Sequence, residues 1–310
     1  MILHVNSFFI AFFEIEVISI LTEHTLFGVI DKEKKAIERL KAFEPTDGYY
    51  LAFSGGKDSL CIYYLALKAE VKFQAYYNHT TVDPPELIYF IRENFPDVIF
   101  SYPKETMWQL IVRKKIPPTR IARYCCSALK ETNGKGKTVI TGVRWAESAR
   151  RKNTRGIVES WGKRSSDKVM LLNDNDINRR FTESCIKSDK FIINPIIDWS
   201  DDDVWEFIRK YNYKYCCLYD KGEKRLGCIG CPLSGAKTMK RDFVTYPKYQ
   251  QAYLRAFERM VQARADSNLF PLWKDSQQVM DWWLGDYKFP KDDAISQITL
   301  NEYMEIEGGN

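Results

Sequence analysis

Leu51-Ala52-Phe53-Ser54-Gly55-Gly56-Lys57-Asp58-Ser59 is the stretch that decides the fold. An apolar run, residues 49–53, leads into it, and a helix-patterned run, residues 60–69, leads out. The stretch therefore reads as strand, tight glycine turn and helix. A helix start leaves backbone N–H groups unpaired and carries partial positive charge. Glycines let a phosphate approach those groups closely. Ser54 and Ser59 add hydroxyl donors and Lys57 adds a point charge. Asp58 would repel a phosphate, so its carboxylate suits a Mg²⁺ ion or a helix cap. The spacing is not that of a Walker A loop, G-x-x-x-x-G-K-[ST]. A glycine turn capped by Ser or Asp is the plain alternative, but the whole pattern after a buried-strand run favours a phosphate site.

Outward from this stretch the pattern repeats. Residues 31–43 read as an amphipathic helix with Ile30, Ala36, Ile37, Leu40 and Phe43 near one face. Pro45-Thr46-Asp47-Gly48 turns the chain into the first strand. Further strands are predicted over residues 71–77, 98–102, 137–141 and 191–193. Helices are predicted over 84–94, 106–114, 200–211, 247–265 and 276–284. Pro84 and Pro85 fall in a first turn, where proline is tolerated. Ser200 caps a helix whose first turn holds Asp201, Asp202 and Asp203. Alternating strands and helices predict an α/β fold with a doubly wound, mostly parallel sheet. Ligands of such sheets sit beyond the carboxyl ends of the strands. The glycine loop, residues 78–83 and residues 142–150 each follow a strand end and are expected at one cleft. Residues 153–180 are polar and basic with little periodicity, and read as an excursion from the sheet. Three regions are expected: 1–46, a peripheral segment and helix; 47–199, the nucleotide-binding domain; and 200–310, a helical part bearing a cysteine loop.

With 310 residues, 45% hydrophobic and 28% charged, the chain has the composition of a globular protein with a full core. A net charge of +5 permits an anionic partner without demanding one. Residues 8–21 are apolar but interrupted by Glu14 and Glu16, too short and too acidic for a membrane span. They read as a peripheral strand or helix, or as residues upstream of the true start. Eight cysteines, with adjacent pairs and a C-x-x-C, point to metal or redox chemistry in a reducing compartment, the cytoplasm by default. Three histidines make a His-rich zinc site a poor expectation.

Two more stretches carry candidate chemistry. Asn78-His79-Thr80-Thr81-Val82-Asp83-Pro84-Pro85-Glu86 offers hydroxyls and carboxylates to a ribose, Mg²⁺ or substrate, or simply makes an Asx- or Ser-type turn with proline starting a helix. In Gly142-Val143-Arg144-Trp145-Ala146-Glu147-Ser148-Ala149-Arg150, Gly142 admits a close ligand. Arg144 and Arg150 suit phosphate or sulfate oxygens, or else lie on a solvated basic helix. The basic excess running on to Lys163 and Arg164 suits an anionic substrate, nucleic acid included. A basic surface face is the commoner source of such a run.

The glycine stretch resembles the SGGxDS loop of the PP-loop ATP pyrophosphatases. Together with Thr80-Thr81-Val82-Asp83, Gly142-x-Arg144-x-x-Glu147-Ser148-x-x-Arg150 and Asn194-Pro195-Ile196-Ile197-Asp198-Trp199, it resembles the phosphoadenosine phosphosulfate (PAPS) reductase family over roughly residues 48 to 235. The resemblance implies an adenine nucleotide α-hydrolase-like sheet and ATP with Mg²⁺ as cofactor. It implies cofactor contacts at Ser54, Gly55, Gly56, Lys57, Asp58, Ser59 and Gly142. Catalytic roles are implied for Lys57, Asp58, Arg144 and Arg150. Cys125-Cys126 with the distant Cys228-Ile229-Gly230-Cys231 resembles the [4Fe–4S] signature of iron–sulfur adenylyl-sulfate reductases, whose cluster needs four thiolates. A second pattern, Tyr215-Cys216-Cys217-Leu218-Tyr219-Asp220 running on to Cys231-Pro232, resembles PAPS-reductase-like proteins such as the DNA phosphorothioation enzyme. There one of Cys216 and Cys217 joins the set, and Zn²⁺ is the alternative occupant. Cys61 and Cys185 read as plain residues.

Sulfonucleotide reductases carry a nucleophilic Cys in a Glu-Cys-Gly-type tail, and their glycine loop tends to be degenerate. Here the loop is intact, and Glu305-Ile306-Glu307-Gly308-Gly309-Asn310 holds no Cys. The expectation is an ATP-using adenylating enzyme coupled to sulfur transfer, with a nucleic-acid or other anionic acceptor, a sulfur-donor protein and no membrane. The alternatives are a PAPS or adenylyl-sulfate reductase working with an external thiol, and a zinc-stabilised nucleic-acid-binding module.

Overall fold

The computed structural model of the protein describes residues 21–25, 28–130, 133–134, 136–161, 169–171 and 190–289. Residues 8–20, most of the 153–180 stretch and Cys185 therefore lie outside the described residues or at their margins. A small antiparallel hairpin, β1 (Thr22–Thr25) and β2 (Gly28–Asp31), leads into α1 (Lys32–Ala42). Asp31 caps α1 by accepting from the N–H of Lys34.

The central sheet has seven strands among the described residues: β3 (Tyr49–Ala52), β4 (Phe73–Asn78), β5 (Ile99–Ser101), β6 (Thr138–Ile140), β7 (Val158–Trp161), β8 (Val169–Leu171) and β9 (Lys190–Ile193). Their order is β5-β4-β3-β6-β9-β7-β8. Pairing from β5 through β9 is parallel, and β7 opposes both its neighbours, so six strands share one direction. The α/β, mostly parallel sheet read from the sequence is the fold. The reading of residues 153–180 as an excursion is corrected within its described part. β7 and β8 extend the sheet, but runs of three or four residues carrying Glu159 and Ser160 show no apolar period.

The chain steps from β3 to β4 and β5 on one side, and reaches β6 and β9 on the other. The order therefore reverses between β3 and β6, the place where open α/β sheets bind ligands. Leu51, Leu60, Ile62, Ile140, Ile193 and Trp199 lie in one fully buried cluster around α2 (Lys57–Lys68). α3 (Pro85–Asn94) and α7 (Asp201–Lys210) pack into the same cluster. Ser200 and Asp203 cap α7 reciprocally, as the sequence expects.

Helix α1 belongs to this core. Ala36 and Leu40 are fully buried. Arg39 Nη1 and Nη2 meet Asp198 Oδ1 and Oδ2 at 2.9 and 2.8 Å, and Nη1 also donates to Pro195 O at 2.7 Å. Asp198 is largely buried, yet the hydrogen bond and charge of Arg39 hold its carboxyl below the ordinary value.

A second cluster forms where α4 (Met107–Lys114) and α5 (Tyr124–Leu129) meet α8 (Ala236–Thr245), α9 (Pro247–Asp266) and α10 (Ser276–Trp283). The short α6 (Ala149–Thr154) follows β6 through a 3₁₀ turn, Trp145–Glu147.

Candidate functional site

The glycine loop leaves β3 and opens α2 at the switch point. Gly55 has φ +70°, and a Cβ there would lie 2.6 Å from Leu87 Cδ1 and 2.8 Å from Ile91 Cδ1. Only glycine fits, because backbone and packing both exclude a side chain. Gly56 differs: its φ is −81°, and a Cβ would meet only the Tyr219 hydroxyl and Ser54 Oγ, at 3.4 and 3.5 Å. Gly56 is the N-cap of α2 and provides no side-chain cap. The Ser59 hydroxyl donates to Gly56 O at 2.8 Å, and Ser54 Oγ lies 3.1 Å from Ser59 Oγ. These bonds fix the loop from its inner side.

The charged residues of the loop are tied to partners far along the chain. Arg144 is 2% exposed. It donates Nε to Asp58 Oδ1 at 2.7 Å, Nη2 to Asp201 Oδ1 at 2.5 Å and Nη1 to Trp199 O at 3.2 Å. Lys57 Nζ lies 3.3 Å from Asp201 Oδ1 and donates to Lys224 O at 3.4 Å. Burial opposes ionisation of Asp201, but the Arg144 hydrogen bond and the Lys57 charge hold its carboxyl below the ordinary value. Gly142 brings the end of β6 against α2: a Cβ there would fall 2.9 Å from the Asp58 carbonyl. The close approach it permits is therefore to backbone.

Arg150 is exposed on α6, while its neighbour Arg151 is half-buried and pairs with Glu147. Glu147 also accepts from Arg144 N–H at 3.2 Å. Burial pushes the Arg151 guanidinium below its ordinary value, and the like charges of Arg225 and Arg155 add to this.

The Thr80-Thr81-Val82-Asp83 turn faces the cysteines. Asp83 Oδ2 accepts from Thr80 N–H, three residues back, at 2.7 Å, and Thr80 Oγ1 accepts from Val82 N–H at 3.4 Å, a Ser/Thr-type turn. Val82 O accepts from Ile229 N–H at 2.8 Å, and Cys228 Sγ donates to Thr80 Oγ1 at 3.5 Å. This turn thus anchors the Cys-x-x-Cys loop. Cys125, Cys126, Cys228 and Cys231 lie within one another's electrostatic reach. The Cys125 thiol donates to Cys126, and with Arg123 it draws Cys126 down to about 6 against its burial, while Cys125 itself is pushed up. Lys130 stands beside Cys228, whose charge raises its ammonium pKa. Cys216 is buried in the sheet cluster, whereas Cys125 and Cys228 pack on the helical cluster.

These surroundings test the implied metals. Mg²⁺ in nucleotide sites needs only one or two carboxylates beside phosphate oxygens and waters. Asp58, a quarter exposed, fits that requirement, with Arg144 already bonded to one oxygen. The four neighbouring thiols have the donor chemistry of an iron–sulfur or zinc centre, and Lys130 adds a counter-charge to their thiolate forms. Among the described residues, however, no three His, Cys, Asp or Glu side chains are gathered to hold a metal ion.

Sequence reasoning missed Tyr219, Asp201, Arg151, Arg225 and Lys130 as members of the site. Asp201 was legible only as a helix-start acid. Tyr219 and Arg225 sat inside a motif read for its cysteines.

Residues 48–234 match the phosphoadenosine phosphosulfate reductase domain. The chain is 28% identical over 187 residues to a probable FAD synthase of Schizosaccharomyces pombe, covering 58% of each chain. It is 26% identical over 154 residues to an adenosine 5'-phosphosulfate reductase of Staphylococcus haemolyticus, covering 47% of this chain and 53% of that one. A crystal structure of phosphoadenylyl-sulfate reductase from Candida auris aligns with TM-score 0.42 and 16% identity over 63% of this chain and 88% of that one. The chain spans about half the length of the curated relatives it matches. No helix among the described residues is long and apolar enough to cross a membrane.

Proposed function

Since the chain belongs to the phosphoadenosine phosphosulfate reductase domain family, and so to a nucleotide-binding group of enzymes, we propose that it is an ATP pyrophosphatase-type member acting in sulfur transfer. An acceptor oxygen attacks the α-phosphorus of ATP. The new O–P bond forms as the α–β bridging bond breaks, the acceptor loses its proton to solvent, and pyrophosphate leaves. One observation carries this reading: an intact glycine loop at the switch point, opening a helix whose N-cap residue, Gly56, has no side chain of its own to cap it. Residues 54–59 would bind the β- and γ-phosphates. Asp58, oriented by Arg144, would hold Mg²⁺, which when bound neutralises charge developing on the leaving group. Lys57 and Arg150 are the further cations assigned to anionic oxygens, while Arg144, buried and bonded to Asp58, Asp201 and the Trp199 carbonyl, would act through Asp58. Catalysis then rests on positioning and charge neutralisation.

Cys125, Cys126, Cys228 and Cys231 would hold a thiolate-ligated centre, with Cys216 the more distant candidate; iron–sulfur is the first assignment and Zn²⁺ the second. Such a centre, when bound, would bind or activate sulfur. A nucleic acid or other anionic molecule is the proposed acceptor, a sulfur-donor protein the proposed partner, and the reducing cytoplasm the proposed setting.

The similarity to an adenosine 5'-phosphosulfate reductase, together with the neighbouring thiols, favours a second reading: reduction of a sulfonucleotide to sulfite by an external thiol. Anaerobically purified full chain, assayed with ATP and Mg²⁺ and separately with sulfonucleotides plus a thiol, decides between them. Pyrophosphate released from ATP, with AMP left on the acceptor or freed when water or a sulfur nucleophile displaces it, supports the first reading, and sulfite the second. Zinc as the sole metal, without turnover of either nucleotide, would leave a nucleic-acid-binding module.

A further inference from the structure

The segment between the second cysteine pair and the Cys-x-x-Cys crosses over the glycine loop. The Tyr219 hydroxyl accepts the N–H of Lys57 at 2.8 Å, at the first residue of α2. Its ring is held edge-on by Trp205 and Tyr215, with centroids 5.1 and 6.3 Å away. Among the described residues no acceptor takes the hydroxyl's own proton, so Tyr219 passes the donor character of the helix start one atom outward. Lys224 O accepts from Lys57 Nζ, which places the next residue, Arg225, beside the loop. Arg225 is exposed and stands within electrostatic reach of Arg151, which itself reaches Asp58.

Arg151 and Arg225 carry like charges that act on each other unfavourably. Lys57, Arg144 and Arg151 meet the carboxylates of Asp58, Asp201 and Glu147, and the charge of Arg225 comes on top of that balanced set. Such an arrangement is stabilised by an anion that reaches both guanidiniums and the Tyr219 proton. A pyrophosphate group, longer and more highly charged than a lone sulfate or monophosphate, suits two guanidiniums and a hydroxyl donor beside a helix start.

We propose that Tyr219, Arg225 and Arg151 form a clamp for the pyrophosphate moiety of a nucleoside triphosphate, making the site selective for ATP over AMP. This deepens the reading of the glycine loop as an ATP site and rests on it for the identity of the nucleotide. Tyr219 and Arg225 are positioning residues in this scheme, since they hold the leaving group and transfer no proton to the α-phosphorus.

The test measures dissociation constants of inorganic pyrophosphate, ATP and AMP by calorimetry on the full chain, as wild type, Tyr219→Phe and Arg225→Ala. Both positions lie outside the fully buried core, and circular dichroism checks that each variant folds. Each change removes a hydrogen bond to a charged group, so pyrophosphate and ATP should bind about tenfold more weakly. AMP should stay within about twofold of wild type by the same reasoning. Arg225→Lys should recover part of the loss and steepen its dependence on salt. Unchanged pyrophosphate affinity in both variants, or equal losses for ATP and AMP, would overturn the clamp. Wild type that cleaves ATP to AMP and pyrophosphate while both variants keep pyrophosphate affinity leaves the ATP reading standing and the clamp refuted. Wild type that holds pyrophosphate through Tyr219 and Arg225 but never cleaves ATP leaves the clamp standing and the ATP reading refuted. No binding of pyrophosphate to wild type removes the clamp outright.

Discussion

Gly55 and Gly56 are adjacent, and the structure assigns them opposite duties. Substituting each by alanine should separate folding from binding. At Gly55 an alanine must hold φ near +70°, a left-handed conformation that costs an L-residue about 1–2 kcal/mol. Its Cβ must also displace Leu87 and Ile91 from contacts below 3 Å, and overpacking of this kind costs about 1–3 kcal/mol. Together Gly55→Ala should destabilise the fold by about 2–5 kcal/mol. At Gly56 the backbone is already extended, and the new Cβ touches neighbours at ordinary distances. Loss of glycine at an N-cap costs roughly 0.5 kcal/mol or more, offset by a stiffer unfolded chain worth about 0.4–1 kcal/mol. The net change in stability should stay within about 1 kcal/mol. The methyl group would nonetheless stand where a phosphate oxygen approaches α2, so ATP affinity should fall about tenfold or more. Urea unfolding and calorimetric titration of the two variants read these quantities separately. A Gly55→Ala protein as stable as wild type, or a Gly56→Ala protein that binds ATP normally, would refute the assignment.

Arg144→Ala should cost about 2–4 kcal/mol in urea unfolding, because it leaves Asp58 and the Trp199 carbonyl without a buried donor. Arg144→Lys should restore only part of that, since one ammonium cannot replace the fork; equal stability of all three proteins would show the contacts to be incidental. Asp198→Asn should lose about 3 kcal/mol by removing the charge facing Arg39. The folded pKa of Asp198 is depressed, so this contribution is present above the unfolded carboxylate value and fades as pH falls through the folded one. Wild type should accordingly lose stability relative to Asp198→Asn on acidification below about pH 4, and parallel stability-versus-pH curves would contradict the pairing.

Local chemistry was legible in the sequence. The glycine loop, the alternation of strands and helices and the Ser200 cap each rest on patterns within a few residues. What escaped were pairings made at a distance. Asp58 and Arg144 are 86 positions apart, and Arg144 and Asp201 are 57 apart. A sequence shows an arginine after a strand but not which carboxylates will bury it. The Thr80 turn offered two readings, and only the position of Ile229 and Cys228 shows that it supports the cysteine loop. Tyr219 gave no signal of its own, since one tyrosine in a tyrosine-rich segment has no period. β7 and β8 escaped for a related reason: three or four residues are too few to display alternation.

The buried fork between Arg39 and Asp198 has a consequence for where the protein begins as a cooperative unit. Kinship to the family starts at residue 48. Arg39 nevertheless ties down the chain leaving the carboxyl end of β9, bonding both the Pro195 carbonyl and the Asp198 carboxylate, just before the helix whose Asp201 meets Arg144. A chain cut at the family boundary would leave Asp198 facing no guanidinium, and α2 would lose the cover of Ala36 and Leu40. Common ancestry and the buried core thus have different first residues here: ancestry is recognisable from residue 48, whereas the described core reaches back through α1 to Leu21.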